Sequence, residues 1–449
     1  MSFRRYPKYK ASGVEWLGDV PEGWDVKRLR FVADMNPSKS EIANLHRNTL
    51  VSFLPMEAVG DDGTLILDKQ KTIGELESGY TYFRDGDVTI AKITPCYENG
   101  KGALMRGLMN GIGFGTTELI VARPKPCEIR SNYLHYLFIS PDFRGIGESH
   151  MYGAGGQKRV PDAFVKNFAT AVPPIAEQNA IAEFLDRETA KIDGLVAEQR
   201  RLMELLKEKR QAVISHAVTK GLNPHAPMKP SGIEWLGDVP EHWQLHRIKH
   251  QFKTSSGSTP STGQQGLYYT DSEYGTPWVR TTDLPNDKLR SAEVFITEKA
   301  LSDTACSVLP IGSVLVAMYG GDGTIGKNGL LEIPAAINQA VCGILPSMHF
   351  NPEYVFRYIQ FYRPYWMVGA ESSRCDPNIS QERVRNTPFL KPPISEQVEI
   401  ADFLVTELAK FDTLTAEAQR AIDLLQERRT ALISAAVTGQ IDVRQQTHN

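Results

Sequence analysis

Two long stretches of the chain repeat apolar residues with the period of a coiled-coil helix. The steps alternate between four and three residues, beginning at Ile181 in the first stretch and at Ile400 in the second. A Pro-Pro pair opens each stretch, and neither contains a further proline. The sequence therefore predicts two long α-helices, within 173–222 and 392–449. The predicted seam residues are Ile181, Leu185, Glu188, Ile192, Leu195, Gln199, Leu202, Leu206, Lys209, Val213 and His216 in the first helix and Ile400, Leu404, Glu407, Phe411, Leu414, Ala418, Ala421, Leu425, Arg428, Leu432 and Ala435 in the second.

The charges on the two seams predict how the helices pair. In an antiparallel pair Glu188 meets Arg428 and Lys209 meets Glu407, whereas a parallel pair in register opposes like charges. We therefore predict an antiparallel two-helix coiled coil, ~60 Å long if about 40 residues are helical. The alternative is that each helix packs only on its own neighbouring domain. Rescue of Glu188→Lys by Arg428→Glu would favour the paired helices.

The intervals 1–172 and 223–391 carry short apolar runs punctuated by glycine and proline, a pattern typical of strands. Each interval has two such runs followed by an apolar, helix-like piece. Gly100-Lys101 and Gly326-Lys327 follow corresponding runs at an offset of 226. Each interval is therefore predicted to be a mixed α/β domain with a mostly antiparallel sheet. The runs lie at 85–95, 115–124 and 131–143 in the first interval and at 311–323, 337–346 and 351–364 in the second.

Much of the sequence occurs twice. Residues 12–24 and 231–243 are identical at 11 of 13 positions, and residues 173–222 match 392–441 at 27 of 50 positions, both at an offset of 219. The intervals between these blocks share far less at that register. The predicted architecture is thus a tandem repeat with pseudo-twofold symmetry, in which two α/β domains are separated by the long helices.

The composition restricts the class of protein but does not indicate a function. The 449 residues are 41% hydrophobic and 23% charged, with a net charge of -3, as expected of a globular protein that has room for local basic patches. Its five cysteines form no C-x-x-C pair, which favours a reducing compartment. The start of the chain has no apolar signal-like region, and no run of 18 apolar residues occurs, so we expect a cytoplasmic protein.

Three patterns that suggest catalysis or metal binding are weak. Residues 321–328 match a phosphate-binding G-x-x-x-x-G-K loop but end in Asn328, where serine or threonine would hold magnesium. A shared helix face could carry three histidines, yet no cysteine or carboxylate completes a metal site. The pairing of an aspartate with a lysine near the end of the first apolar run is better explained by strand-edge charges than by a nuclease. The histidines are His242, His246 and His250, and the nuclease-like pair is Asp87 and Lys92.

The repeated blocks carry a resemblance. Each variable domain is followed by P-P-I-x-E-Q-x-x-I-A-x-F-L and a long helix, and both halves contain W-L-G-D-V-P-E-x-W. In this arrangement the chain resembles the specificity subunit of type I restriction-modification systems. The duplicated residues 173–178 and 392–397 are the specific part, and the resemblance covers essentially the whole chain.

The resemblance implies a non-catalytic subunit whose two target recognition domains each read half of a bipartite, asymmetric site on double-stranded DNA. It implies two modification subunits, which methylate adenines with S-adenosylmethionine, and restriction subunits, which use ATP and magnesium. This chain is expected to bind no cofactor or metal itself. The alternatives are a targeting subunit of a methylation-only or other defence system, and a two-headed protein scaffold that ignores DNA.

Loop residues able to bond base edges or phosphates are the predicted DNA contacts. They are Lys92, Tyr97, Asn99, Lys101, Gln157, Lys158 and Arg159 in the first domain and Ser256, Ser258, Arg280, Thr281, Thr282, Tyr319, Lys327, Asn338, Gln339, Arg374 and Asn378 in the second. The resemblance further implies that basic residues on the outer helix faces dock the modification subunits. These are Arg200, Arg201, Lys207, Arg210, Arg420, Arg428 and Arg429, for which solvent exposure alone is the equally simple explanation.

Overall fold

The structure is a computed structural model that describes residues 3–154, 156–320, 323–367 and 378–444. The chain divides into two compact units, one formed by 1–200 with 419–449 and the other by 201–418. Each unit combines an α/β domain, which we call the first or the second head, with segments of both long helices. Among the described residues, none of the helices is long and apolar enough to cross a membrane.

The first unit has a head with two four-stranded sheets, ordered β6-β5-β10-β7 and β4-β11-β8-β9, and the short pairs β1-β2 and β3-β12. Among the strand pairs that the structure describes in these two sheets, β5 with β10 is the parallel one. The strands are β1 (Tyr9–Ala11), β2 (Asp19–Pro21), β3 (Asp25–Arg28), β4 (Ala33–Met35), β5 (Leu50–Leu54), β6 (Gln70–Thr72), β7 (Thr81–Arg84), β8 (Val88–Ala91), β9 (Gly102–Leu104), β10 (Ile112–Gly115), β11 (Leu119–Pro124) and β12 (Ala169–Val172). The helices are α1 (Leu29–Val32), α2 (Ile73–Leu76), α3 (Ser131–Ile139), α4 (Pro141–Ser149), α5 (Asp162–Asn167) and α6 (Ile175–Lys220).

The second unit repeats this plan with two additional edge strands. Its sheets have the orders β16-β25-β22-β23-β19 and β17-β20-β18-β24-β21. The strands are β13 (Met228–Pro230), β14 (Asp238–Pro240), β15 (Gln244–Arg247), β16 (Thr254–Ser256), β17 (Tyr269–Thr270), β18 (Thr276–Val279), β19 (Asp287–Leu289), β20 (Val294–Ile296), β21 (Val308–Leu309), β22 (Val314–Ala317), β23 (Asn328–Leu331), β24 (Ala335–Ile337), β25 (Val341–Ile344) and β26 (Pro388–Lys391). The helices are α7 (Ile248–Gln251), α8 (Gln265–Tyr268), α9 (Glu298–Asp303), α10 (Pro352–Met367), α11 (Gln381–Arg385) and α12 (Ile394–Val437).

The predicted mixed α/β heads are confirmed, and the strand pairing is mostly antiparallel. The central strands are buried on both faces, which explains their continuous apolar sequences. Val88 and Ile90 of β8 lie in the core that contains α3, while Ala91 lies in the core between the two sheets. In the second head, Val314 packs with α10 and Ala317 packs between the sheets. The β8–β9 and β22–β23 registers correspond residue by residue at the predicted offset of 226.

The long helices pack antiparallel within each unit, as predicted. In the first unit Asp193 of α6 binds Arg429 of α12 at 2.9 Å, and the start of α6 shares a core with the end of α12. In the second unit Arg210 lies 3.6 Å from Asp412, and the end of α6 shares a core with the start of α12. The two ion pairs correspond at the offset of 219.

The predicted interhelix partners are wrong. Glu188 binds Lys191 of its own helix at 2.9 Å, and Glu407 is paired with its neighbour Lys410, so the Glu188–Arg428 pairing does not form. Lys209 is exposed and lies outside the seam, so its pairing with Glu407 does not form either.

Half of the predicted seam is displaced by one residue. Leu195 and Leu202 are 46% and 41% exposed, whereas Val196 and Leu206 are buried. From Ala182, the buried or half-buried seam residues follow one another at alternating steps of three and four. The prediction placed Ile192 and Leu206 on the seam correctly, but every second predicted seam residue lies one residue before the observed one. The positions on the seam are Ala182, Leu185, Thr189, Ile192, Val196, Gln199, Met203, Leu206, Arg210, Val213 and Ala217 in α6 and Ala401, Leu404, Leu408, Phe411, Thr415, Ala418, Ile422, Leu425, Arg429, Leu432 and Ala436 in α12.

The duplicated P-P-I-x-E-Q segment anchors each head to the start of its helix. Gln178 and Gln397 are both fully buried. Gln178 accepts a hydrogen bond from the amide of Arg130 at 2.7 Å and donates to the carbonyls of Glu128 at 3.0 Å and Pro173 at 2.9 Å. Gln397 makes the corresponding three bonds at 2.9, 3.3 and 2.9 Å. One side chain thus satisfies three backbone groups at each head–helix junction.

The glutamate before each of these glutamines binds differently in the two units. Glu177 accepts a hydrogen bond from the hydroxyl of Tyr6 at 2.5 Å, whereas Glu396 accepts one from the indole nitrogen of Trp243 at 2.7 Å. The corresponding Trp24 is buried, and its indole nitrogen has no hydrogen-bond partner among the described residues. The repeated W-L-G-D-V-P-E-x-W segment therefore packs similarly but is bonded differently.

Candidate nucleic-acid interface

The first head brings two polar loops together at one edge of its buried sheet. These are the β8–β9 loop, residues 92–101, and the α4–α5 loop, residues 150–161. The amide of Thr94 donates to the carbonyl of Lys158 at 3.0 Å, the amide of Lys158 donates to the hydroxyl of Thr94 at 2.9 Å, and Val160 donates to Lys92 at 2.8 Å. All predicted contacts of this head lie on these two loops.

Six of the seven first-head candidates reach the surface to some extent. Asn99, Gln157 and Lys158 are exposed, and the other three are half-buried. The ammonium of Lys101 donates to the carbonyl of Met56 at 3.1 Å. Arg159 is bound to the carboxylate of Glu118 at 2.8 Å, which lowers the pKa of Glu118. The half-buried candidates are Lys92, Lys101 and Arg159.

Tyr97 is a core residue, which corrects its prediction as a DNA contact. Its side chain is fully buried, and its hydroxyl donates to the carbonyl of Phe143 at 3.1 Å. Burial raises the pKa of this phenol far above its ordinary value. Its ring supports the loop from beneath and is not available to DNA.

The second head gathers several loops at the corresponding edge. The amide of Ser258 donates to the carbonyl of Ile337 at 3.1 Å, which joins the segment after β16 to the end of β24. Met318 donates to Ala340 at 2.8 Å and accepts from the amide of Ile379 at 2.8 Å. Asn338 donates to the carbonyl of Val279, the last residue of β18, at 3.0 Å, so the segments after β16, β18, β22 and β24 meet although they are far apart in sequence.

The second-head candidates fall into four groups. Exposed are Ser256, Thr282, Tyr319, Gln339 and Asn378. Half-buried are Ser258, Arg280, Lys327 and Asn338. Thr281 is only 8% exposed, so its prediction as a contact is corrected to a buried turn residue. Arg374 lies outside the described residues.

Some of these side chains are held by neighbours. Arg280 is bound to Asp283 and to Glu293, each at 2.8 Å, so its charge is already neutralised. Gln339 accepts a hydrogen bond from the hydroxyl of Thr259, which the sequence did not single out. These contacts fix side-chain positions at the edge of the sheet.

Sequence reasoning also missed Tyr152 in the first head. It is 66% exposed, and its backbone pairs with that of Arg159 within the α4–α5 loop. Its signal was an aromatic residue at the start of the glycine-rich YGAGGQKR segment. Aromatic rings at such positions can stack on bases.

The weak catalytic patterns have structural explanations. Asn328 begins strand β23 and is buried, whereas the G-K-S/T of a P-loop leads into a helix. His242 binds the carboxylate of Glu396 at 2.9 Å. No cluster of three or more potential metal ligands occurs in the part of the chain that the structure describes. Asp87 is buried and bound to Arg123 at 2.7 Å, so it serves an internal ion pair.

Comparisons with known proteins agree with this architecture. A family model described as the type I restriction modification DNA specificity domain matches residues 21–201 and 240–423. The type I restriction enzyme EcoAI specificity subunit of Escherichia coli is 44% identical over 180 residues, and the EcoEI specificity subunit is 40% identical over 179 residues. Each match covers 40% of this chain but only 30% of the relative.

Two solved structures share the fold over nearly the whole chain. One is a chain from a study of complex assembly and conformational transition of the type I R-M system, with a TM-score of 0.76 and 17% identity over 94% of this chain and 99% of that chain. The other is the HsdS subunit from Thermoanaerobacter tengcongensis, with a TM-score of 0.55 and 17% identity over 94% of this chain and 98% of that chain. Because the family model matches most of the sequence in two copies, the chain belongs to the family of type I restriction-modification DNA specificity domains.

Proposed function

We propose that this chain is the DNA-recognition subunit of a type I restriction-modification complex, in which each head reads one half of a bipartite, asymmetric site. The observation that carries the proposal is that two heads built on the same plan, which differ by two edge strands, expose different polar side chains at the same edge. Two similar domains that differ in their exposed loop side chains suit a protein that recognises two half-sites of different sequence.

The side chains at the two edges match the chemistry of base recognition. Amide groups such as those of Asn99, Gln157 and Gln339 form paired hydrogen bonds with base edges in the major groove. The exposed ammonium of Lys158 suits a phosphate, which adds affinity without sequence information. These are the residues that we propose contact DNA directly, together with Tyr319.

Selection of DNA from a random duplex library tests this function. The chain is purified from its host with the subunits that bind it, and the bound duplexes are sequenced. We expect two short preferred elements at a fixed spacing. Gln157→Ala should relax one position of one element, whereas Lys158→Ala should weaken all duplexes alike. Absence of any sequence preference would overturn the proposal and favour the protein scaffold.

The outer faces of the helices support docking of modification subunits. In the second unit, Leu202 and Leu205 of α6 and Leu414 of α12 are exposed. In the first unit, Leu195 and Leu424 are exposed. Each of the five leucines precedes a seam residue by one. Leu195, Leu202 and Leu414 therefore occupy one heptad position, and Leu205 and Leu424 occupy the position beside it on the helical wheel, so those in one unit lie on one side of the antiparallel pair. An apolar face of this kind suits helices of a partner protein.

Two of the basic residues predicted to dock the partner have another role. Arg210 and Arg429 are seam residues, bound to Asp412 and Asp193. The docking face is therefore better described by the leucines than by these arginines.

A charge placed on the leucine face tests the docking. Leu202→Glu with Leu205→Glu should lower co-purification of modification subunits at least tenfold, because burying each leucine contributes about 2 kcal/mol. Gln211→Glu adds a negative charge on the other flank of the same helix and should leave the yield unchanged. Equal yields from both proteins would place the partner elsewhere.

The chemistry of the complex is assigned to the partners in this proposal. Modification subunits would bring S-adenosylmethionine for adenine methylation, and restriction subunits would use ATP and magnesium. A methylation-only system would contain the first without the second. Mapping of methylated adenines in a host genome with and without this chain, together with a restriction assay, distinguishes the two.

A further inference from the structure

In each head, one arginine from a neighbouring helix binds the loop between two adjacent antiparallel strands of one sheet. In the first head this is Arg144 of α4. Its guanidinium donates to the carbonyl of Tyr97 at 3.1 Å and to that of Gly100 at 3.0 Å, and its Nε donates to Phe138 at 2.7 Å. The guanidinium also lies over the ring of Tyr97, 4.9 Å from its centroid. The Arg144 side chain thus binds two carbonyls of the β8–β9 loop and connects the loop to the end of α3.

In the second head the corresponding arginine is Arg363 of α10. It donates to the carbonyl of Gly323 at 2.7 Å and to that of Ile325 at 3.1 Å, both in the β22–β23 loop. Its other terminal nitrogen lies 3.5 Å from the side-chain oxygen of Asn286. The end of this loop, Gly326, packs closely over the stem of the same arginine.

The two loops are equivalent in the fold. Ala91 donates to the carbonyl of Lys101 at 3.0 Å, and Ala317 donates to the carbonyl of Lys327 at 2.8 Å, at the offset of 226. Arg144 and Arg363 are 219 positions apart, not 226. The alignment of the two loops therefore does not by itself predict that an arginine binds each of them. Both arginines donate to the carbonyl at one equivalent position, Tyr97 in the first head and Gly323 in the second, although the loop sequences differ. The second carbonyl is not equivalent: it belongs to Gly100 in the first head and to Ile325 in the second.

Neither arginine forms an ion pair with a carboxylate in the described parts of the chain. Their hydrogen bonds within the loops are to backbone carbonyls, which fixes the path of the main chain, and Arg144 also lies over the buried ring of Tyr97. Guanidinium suits this role because its planar donors bind several oxygens at once. Burial lowers the pKa of Arg144 to about 10, so the group remains a cation at neutral pH.

The loops that these arginines hold carry candidates for DNA contact close to the bonded carbonyls. The exposed Asn99 directly precedes Gly100, and the half-buried Lys327 directly follows Gly326 in the β22–β23 loop. Gly100 and Gly326 have φ angles of +82° and +67°, a conformation that other residues adopt at a cost. A base-reading side chain must be held within about 0.5 Å of its bonding position. Fixing the main chain beneath it is therefore a requirement for discrimination between bases.

We propose that Arg144 and Arg363 are positioning residues that determine the half-site specificity of the first and the second head, respectively. This inference rests on the proposed function. Arg144 touches no DNA in this scheme; it acts by presenting the β8–β9 loop. Arg363 acts in the same way on the β22–β23 loop.

The test compares Arg144→Met and Arg363→Met by selection from the random duplex library, with the full chain and its bound subunits. Arg144→Met should lower the preference for the half-site read by the first head about tenfold, the value of one lost base contact, and leave the other half-site within about twofold. Arg363→Met should do the reverse. Each variant is thus the control for the other.

Two further measurements separate positioning from folding and from electrostatics. Arg144→Lys keeps the charge but has a single nitrogen in place of the Nε and the two terminal nitrogens that bond Phe138, Tyr97 and Gly100, so it should also relax the first half-site. Arg106→Met removes a surface arginine of the same head that binds Asn132 at 2.6 Å, and it should change neither half-site. Thermal unfolding and binding of random duplex at low salt should stay close to wild type for Arg144→Lys.

The outcomes distinguish this inference from the proposed function. If the wild-type protein selects no sequence, the proposed function fails and the inference fails with it. If the wild type selects a bipartite site and both methionine variants select it equally well, the inference alone is overturned. If either variant relaxes both half-sites to the same degree, the arginine acts on the whole fold and the positioning role is also rejected.

Discussion

Removal of either duplicated glutamine should destabilise one head–helix junction by about 3 kcal/mol. Gln178 and Gln397 are fully buried, and each satisfies one backbone N–H and two carbonyls. Methionine fills a similar volume but bonds none of them. A net contribution of about 1 kcal/mol for each of three hydrogen bonds gives the estimate, and the unsatisfied buried groups set its direction.

Hydrogen exchange measured as a function of urea gives the stability of each unit separately, which is needed because a chain with two units need not unfold in one step. Gln178→Met should increase exchange in the first unit and Gln397→Met in the second. Gln211→Met, an exposed position on α6, should change stability by less than about 0.5 kcal/mol. A loss below about 1 kcal/mol for both buried variants would refute the bonding role of these glutamines.

Three further predictions concern single side chains. Trp243→Phe should cost about 1.5–3 kcal/mol more than Trp24→Phe in urea unfolding, because only the Trp243 indole donates to a carboxylate; equal losses would contradict this. Burial, aided by nearby arginines, lowers the pKa of His135 to about 4, so the first unit should lose stability as pH falls from about 6.5 to 4, where the unfolded chain binds the proton first. His135→Gln should remove that part of the pH dependence. If the stability of the variant falls with pH as it does in the wild type, His135 is not its cause. Arg123→Met should cost about 3–5 kcal/mol by leaving Asp87 buried without its partner; recovery of stability in Arg123→Met with Asp87→Asn is the check, and no recovery would assign the loss to packing.

The heads show which parts of the site could be predicted. Glycine, lysine and amide residues after apolar strands indicated the loops correctly, because strand ends are read from the local pattern. Burial of Tyr97 could not be read in this way, since it depends on α4 packing beneath the loop. The sequence did not indicate the role of Arg144 for the same reason. Its hydrogen bonds are to the main chain of a segment more than 40 residues away, and such bonds leave no local sequence pattern.

The sequence by itself determined the duplication, the two helices and the α/β class of both heads, because repeats and hydrophobic periods are read directly from the order of the residues. The antiparallel direction was predicted correctly, but from charge pairs that do not form in the structure. The tertiary structure decided which heptad stripe is buried. Leu195 and Leu202 are as apolar as Val196 and Met203, so hydrophobicity alone cannot choose between adjacent stripes. The choice is fixed by contacts that close only in the fold, among them Asp193 with Arg429, and by the packing of each helix end into a head. The leucines left outside that seam are exposed, and they form the surface on which we propose that the modification subunits dock.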